Sequence, residues 1–298
     1  MKEKRVLCIL VLYKPNVDLL YHVISSVINQ VETLWISDNT PGGFSAVDDI
    51  RNKYCNKLIY HKMNGNEGIA KAQNKGIRYA VDSRYDFVYF LDQDSISPDN
   101  IVKGLLRMFL ILESKGYKVG GVGPQPFNRD TGKAYLPNIH KGSMIENNVK
   151  QVTELISSAS LISVNLFKEV GSMDEKLFID AVDHELCWRS TYQAGYCFFM
   201  ITSLLLSHKL GQKDKRFMGI TVRVPAPVRC YYLYRNYFLL INRNYIPLYW
   251  KISNGVKFFC KLFYFPLFCI PRLEYFTYIN RGIWDGLFIR KGGKIYEQ

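Results

Sequence analysis

Two aspartates one residue apart, Asp92 and Asp94, end the apolar run Phe87 to Leu91. Carboxylate oxygens are hard ligands that suit Mg²⁺ or Mn²⁺, and such an ion can bridge two phosphates. A D-x-D pair alone is common in surface loops. Here it follows a run apolar enough to be a strand buried on both faces, where neighbouring carboxylates repel unless a cation lies between them. Further along, the segment Phe178 to Arg189 carries three acids, Asp180, Asp183 and Glu185. Glu185 and Arg189 stand four apart and read as a helical ion pair, while Asp180 is placed to cap the helix. His208 closes another apolar run. A lone histidine in that place reads as a satisfied structural residue. Asp38 precedes Asn39-Thr40-Pro41-Gly42 and either caps that turn or offers its carboxylate to a ligand. Asn66 and Gly68 open a helix, as an ordinary cap or as polar and backbone contacts to an anion.

These residues need elements to hold them. The first hundred residues alternate β-rich runs with helical periodicity, the pattern of β-α-β units in a largely parallel sheet. Strands are expected at Val6 to Tyr13, Leu34 to Asp38, Leu58 to His61 and Phe87 to Leu91. Helices are expected from Val17, from Ser45 to Tyr54, from Ile69 to Val81 and after Ser97-Pro98. Ligands bind outside the carboxyl ends of strands in an open α/β sheet, which gathers Asp38, the Asn64 to Gly68 stretch and Asp92/Asp94 on one edge. A loop-rich stretch follows from Gly120 to Lys150, then a β-rich run from Leu155 to Val164 and a last strand from Cys197 to Leu206. Small residues Ala70, Ala72 and Gly76 suit tight packing of a helix on the sheet.

The chain has 298 residues, 48% apolar and 22% charged, which is ordinary globular usage. Its net charge of +13 is concentrated at the end: from Lys209 onward 16 Lys/Arg face 4 Asp/Glu. Many of the 21 Tyr and 18 Phe crowd into the same region. Such a basic, aromatic end suits an anionic lipid surface, or else packs as a helical subdomain; no nucleic-acid motif accompanies the charge. Pro225 and Pro227 mark a break before the basic end, and the expected division is a sheet domain over 1–210 followed by a helical, membrane-surface region over 211–298. The seven cysteines include no C-x-x-C pair and suggest neither a disulfide framework nor a zinc ribbon. The N-terminal apolar run reads as a buried strand rather than a signal peptide, and Phe258 to Ile270, cut by Lys261 and Pro266, is short of the ~20 residues of a membrane span. A cytoplasmic protein, peripheral on the inner face of the cell membrane, is expected.

Taken together, Leu12-Tyr13-Lys14-Pro15-Asn16, Asp38-Asn39, Asn66-Glu67-Gly68-Ile69-Ala70-Lys71-Ala72-Gln73-Asn74-Lys75-Gly76-Ile77, Asp92-Gln93-Asp94-Ser95, Phe178-Ile179-Asp180 through Arg189, and His208 form an ordered set. In this order they resemble the GT-A-fold glycosyltransferases of family 2, and more narrowly the bacterial rhamnosyltransferases of polysaccharide assembly. The likeness extends weakly to Tyr231 through Asn236 and to Gly282 through Gly286. It implies an α/β GT-A (Rossmann-like) domain followed by a helical region, and a nucleotide-sugar donor, dTDP- or UDP-linked. Leu12, Tyr13 and Asp38 would meet the pyrimidine; Asn66, Gly68, Asp92 and Gln93 would meet the rest of the nucleotide sugar. Asp92, Asp94 and His208 would hold Mn²⁺ or Mg²⁺. Asp183 matches the second member of the family's Glu-Asp pair, the general base of an inverting transfer, and Val182 departs from the first. The reaction implied is L-rhamnosyl transfer from dTDP-β-L-rhamnose to a polyprenyl-diphosphate-linked glycan, with a UDP-hexose donor as alternative.

Other classes fit less well. A phosphatase using Asp92 as nucleophile would carry the D-x-D pattern on its first strand, and here three strands precede it. A dinucleotide dehydrogenase lacks its G-x-G-x-x-G after the first strand. A noncatalytic membrane-bound scaffold would bind no nucleotide with metal.

Overall fold

The computed structural model describes residues 4–127, 142–207, 214–217 and 220–288. Contacts divide the chain into two units, residues 1–175 with 183–209, and residues 176–182 with 210–298.

The first unit opens with β1 (Val6–Leu12), α1 (Val17–Val27), β2 (Thr33–Asp38), α2 (Val47–Lys53), β3 (Leu58–Lys62), α3 (Ile69–Asp82), β4 (Phe87–Asp92) and α4 (Ile101–Ser114). The side chain of Asn16 accepts a hydrogen bond from the N–H of Leu19 and starts α1, whose Leu20, Val23, Ile24 and Val27 are buried. Each aliphatic side chain taken fully from water contributes ~1.5–3 kcal/mol, so this one stripe fixes the helix on the sheet. Ala70, Ala72 and Gly76 of α3 are buried, as close packing requires.

The unit continues with β5 (Val119–Phe127), β6 (Ser143–Glu146), β7 (Val149–Val152), β8 (Leu161–Ser163), α5 (Val164–Val170), α6 (Val182–Ala194) and β9 (Cys197–Ser207). The sheet has nine strands in the order β3-β2-β1-β4-β8-β5-β9-β7-β6. The β3-β2-β1-β4 half is parallel throughout, and the other half is mixed, with β8 antiparallel to both β4 and β5. The fold is thus α/β with the expected sheet at its centre.

Three local expectations are corrected. The stretch from Gly120, read as loop, begins with the long buried strand β5. Its glycines and prolines lower strand propensity, but a Cβ at Gly121 would lie 2.3 Å from Ile162, so the smallness serves packing between neighbouring strands. In the run Leu155 to Val164 only Leu161–Ser163 is strand. The helix expected after Ser97-Pro98 starts at Ile101.

The second unit holds a hairpin, β10 (Asp214–Phe217) with β11 (Ile220–Arg223), then α7 (Pro227–Ile241), α8 (Leu248–Phe268) and α9 (Arg272–Phe288). Pro227 at the first turn of α7 costs no helical hydrogen bond. Cys230 and Tyr234 of α7 pack with Phe265, Cys269, Tyr275 and Ile279 into a core of its own. This is the helical region expected after the sheet domain. No helix among the described residues is long and apolar enough to cross a membrane.

Candidate active site

At the carboxyl edge of the sheet, Leu12 of β1 stands opposite Asp38 of β2, and Val11 stands opposite Asp92 of β4. Two inter-strand spacings separate the aspartate backbones, about 10 Å. Hydrogen bonds join the loops above. The N–H of Tyr13 donates to Oε1 of Gln93 at 2.8 Å, and Nε2 of Gln93 donates to the Tyr13 carbonyl at 3.1 Å. The N–H of Lys14 donates to Oγ1 of Thr40 at 3.0 Å, and that of Asn39 to the Leu12 carbonyl at 2.8 Å. Gln93 therefore locks the β1 and β4 ends together, a task its place inside D-x-D does not reveal.

Asp38 is fully buried and caps its turn. Its Oδ1 accepts the N–H of Thr40 at 2.9 Å; its Oδ2 accepts the N–H of Phe44 at 2.7 Å and the hydroxyl of Tyr60 at 2.5 Å. Burial first, and then the Asp38 carboxylate, push the Tyr60 phenol well above its ordinary pKa. Asn39 reaches the next loop: Nδ2 donates to the Gly68 carbonyl at 3.1 Å, and Oδ1 accepts the Glu67 N–H at 3.3 Å. Oδ1 of Asn66 accepts the Gly68 N–H at 3.2 Å, an Asx turn that leads into α3 rather than a cap on it. Gly68 has φ 87°, a conformation open to glycine, and it leaves the first turn of α3 without a side-chain cap.

Asp92 ends β4 half-buried and Asp94 is exposed in the turn beyond it. Ser95 closes that turn, its N–H donating to the Asp92 carbonyl at 3.1 Å. The hydroxyl of Ser158 then donates to the buried hydroxyl of Ser95 at 3.0 Å. Next in the chain, the N–H of Ser157 donates to Oδ2 of Asp183 at 3.0 Å, while Oδ1 of Asp183 accepts the N–H of His184 at 2.9 Å. Asp183 on α6 and the Asp92 to Ser95 turn are thereby tied through two consecutive serines.

The neighbouring acids have other occupations. Glu185 is buried and pairs with Arg189, whose Nε lies 2.9 Å from Oε1 and whose other nitrogens hold the carbonyls of Val170 and Ser172. Asp180 is not the helix N-cap expected for it: α6 starts at Val182, and Arg229 of α7 holds the Asp180 carboxylate at 2.6 Å. A left-handed backbone at Asp180, φ 65°, turns it away from the capping geometry.

The donor set at the edge fits a divalent cation in kind, with two hard carboxylates where β4 ends. No group of three or more His, Cys, Asp and Glu gathers for a metal among the described residues, and His208, the expected third ligand, lies outside them.

The profile of glycosyl transferase family 2 matches residues 8–171, which include every motif from β1 to β8. The chain belongs to glycosyltransferase family 2. This glycosyltransferase is 32% identical over 264 residues to the dTDP-rhamnosyl transferase RfbF of Shigella flexneri, covering 85% of this chain and 86% of that one. It is 25% identical over 203 residues to the low-salt glycan biosynthesis hexosyltransferase Agl10 of Haloferax volcanii, covering 61% of this chain and 60% of that one. Its fold is similar to S. aureus TarS 1-349 in complex with UDP-GlcNAc, with TM-score 0.57, 14% identity, and 94% of this chain and 81% of that chain covered. GalNAc-T7 with UDP, GalNAc and Mn²⁺ gives TM-score 0.54 at 12% identity, over 89% of this chain and 57% of that chain.

Sequence reasoning missed Tyr60, Ser157 and Ser158 in the transferase, and Glu154, whose Oε2 lies 3.9 Å from Nδ1 of His184. Serines carry no spacing signal. Glu154 stands alone in the sequence, and only the fold brings it beside α6.

Proposed function

We propose that the chain moves L-rhamnose from dTDP-β-L-rhamnose onto a polyprenyl-diphosphate-linked glycan with inversion. The observation that carries the reading is the serine bridge tying Asp183 to the Asp92 to Ser95 turn. It supports a base and a diphosphate site at the same strand edge. The curated relative whose name specifies dTDP-rhamnosyl transfer supports the donor, and the hexosyltransferase relative supports testing UDP-hexoses beside it.

In this reading the pyrimidine lies near Leu12, Tyr13 and the Asp38 turn. Asp38 keeps one of a carboxylate's roughly four lone-pair sites for the ring N–H. Gly68 and Asn66 bring backbone N–H groups at the start of α3 toward the nucleotide, and Gln93 holds the loop that carries Tyr13. Asp92 and Asp94, with His208, would hold Mn²⁺ or Mg²⁺, which supplies positive charge against the diphosphate. The acceptor hydroxyl attacks the anomeric carbon as the carbon–oxygen bond to the diphosphate breaks, the electron pair leaving with dTDP. Asp183 takes the hydroxyl proton. Acceptor and catalysis meet at a cytoplasmic membrane face, where a polyprenyl anchor resides.

Donor turnover decides it. Purified protein is given dTDP-rhamnose, UDP-glucose, UDP-galactose or UDP-N-acetylglucosamine with Mn²⁺ or with EDTA, and Asp183→Asn is compared with wild type. Asp183→Asn should bind the donor almost normally and lose ~10²–10⁴-fold in kcat, because an amide accepts no proton. Full turnover in that variant removes Asp183 as base, and turnover indifferent to EDTA removes the metal.

A further inference from the structure

Helix α8 is apolar on the face that packs and carries a second apolar face toward water. Ile252, Val256, Phe259, Phe263 and Leu267 follow one another at steps of three and four, so they share one face. That face points outward, each of the five being 55–64% exposed. The opposite face is the one that packs, through Trp250 and Phe265. α9 repeats the arrangement: Leu273, Phe276, Trp284 and Leu287 share an outward face and are 50–77% exposed, while Tyr275, Ile279, Gly282 and Gly286 are buried. A soluble protein exposes single apolar residues freely, but contiguous stripes mark a surface that something covers.

We propose that the outward faces of α8 and α9 dock in the plane of an anionic lipid bilayer. Charge selects this occupant. Exposed Lys257, Arg272 and Arg281 border the stripes, and among the described residues of the two helices only Glu274 is an exposed acid. Lys251, Lys257, Lys261, Arg272 and Arg281 on the two helices stand against exposed Glu274 and buried Asp285, so two copies meeting on this face would bring like charges together, whereas anionic headgroups would neutralise them. Exposed Tyr249 and Trp284 are the aromatic types that settle at headgroup depth. Neither helix can cross, so insertion is shallow, ~5–10 Å, with the cations left at the headgroups. The proposal deepens the acceptor reading and rests on it for its purpose: the docked face would keep the enzyme where a lipid-linked glycan lies.

Flotation of the full-length protein tests it, with vesicles of phosphatidylcholine alone or mixed with phosphatidylglycerol, at low and high salt. Wild type should float with the anionic vesicles, less at high salt, and stay behind with neutral ones. Joint replacement Phe259→Ser, Phe263→Ser and Leu267→Ser should lower partition on the order of 100-fold, since three large side chains leave the interface. Lys257→Glu with Arg281→Glu should lower it ~10-fold or more while the apolar face stays intact. These side chains are exposed, so circular dichroism should be unchanged in both variants. Calorimetric binding of dTDP should also be unchanged; its absence in wild type would instead count against the donor reading. No flotation of wild type, equal flotation with both vesicle types, or a triple variant that floats like wild type overturns the proposal. So does a wild-type dimer in light scattering that the triple variant abolishes without any effect of lipid, which would assign the face to a second copy.

Discussion

Asp38 shows how one residue type serves two purposes that only geometry separates. Its carboxylate carries three hydrogen bonds inside the protein, from Thr40, Phe44 and Tyr60, and it is fully buried. Asp38→Asn would turn an N–H₂ toward at least one of these donors and leave it unsatisfied, at a cost of ~1–3 kcal/mol. A fall of several degrees in Tm is the expected outcome, together with weaker dTDP binding, because the carboxylate that would accept the ring N–H is lost. An unchanged Tm with lost dTDP binding would make Asp38 a ligand contact first and a turn cap second. Glu185 is the reverse case. Its helical ion pair was legible from spacing, but its burial was not, so Glu185→Gln is expected to cost on the order of 3 kcal/mol rather than the few tenths of an exposed pair.

At the scale of elements, α7 organises the segment 176–182 within the second unit. Nδ2 of Asn236 donates to the carbonyls of Leu177, Ile179 and Asp180 at 2.9, 2.6 and 3.1 Å. Arg235, fully buried, holds the carbonyls of Lys176 and Leu177, and Tyr232 stacks on Phe178 with ring centroids 4.6 Å apart. These contacts support left-handed backbone at Phe178, Asp180 and Ala181, which β-branched or bulky neighbours would not hold unaided. Asn236→Ala removes the two N–H donors that these three carbonyls share. Amides of 177–181 should then exchange ~10–100-fold faster, while α3 keeps its protection. Hydrogen exchange by mass spectrometry reads both; unchanged exchange at 177–181 would mean that Arg235 and Phe178 suffice. The Gly282 to Gly286 stretch has a matching explanation, for a Cβ at Gly282 would come within 2.5 Å of the Tyr231 carbonyl and Asp285 accepts the Tyr231 hydroxyl at 2.7 Å.

For the whole molecule, the many tyrosines set an alkaline limit. Tyr231 is pushed up to about 12 by burial and then by its bond to Asp285; Tyr275 rises to about 12 by burial and then by nearby thiols. Tyr89 in the first unit is pushed higher still by burial. A phenol whose folded pKa exceeds its ordinary value of 10 stabilises the fold fully below that pH, and the contribution is lost as pH rises through the folded value. Stability should therefore be flat with respect to these groups below pH ~10 and decline between ~10 and ~12. Tyrosinate absorbance followed together with circular dichroism checks it; helix loss complete before any buried tyrosine ionises would place the cause elsewhere.

Much of the first unit was written in local pattern. Period-two and helical runs, with Asp92 and Asp94 closing an apolar strand, were enough to place β1 to β4 and to bring Asp38, Asn66 and Asp92 to one edge, because parallel β-α-β connections leave few alternatives. Composition alone located the basic aromatic end. What it lacked was partners in space. β5 was hidden because its glycines are dictated by neighbouring strands, not by local preference. The fate of Asp180 depended on Arg229, 49 residues away in sequence. The link from Asp183 to the strand edge runs through Ser157 and Ser158, whose identity carries no signal until folding sets them between two loops. Outward and inward faces of α8 are likewise indistinguishable in a sequence apolar on nearly every side. Only packing against the rest of its unit decides which apolar face remains exposed.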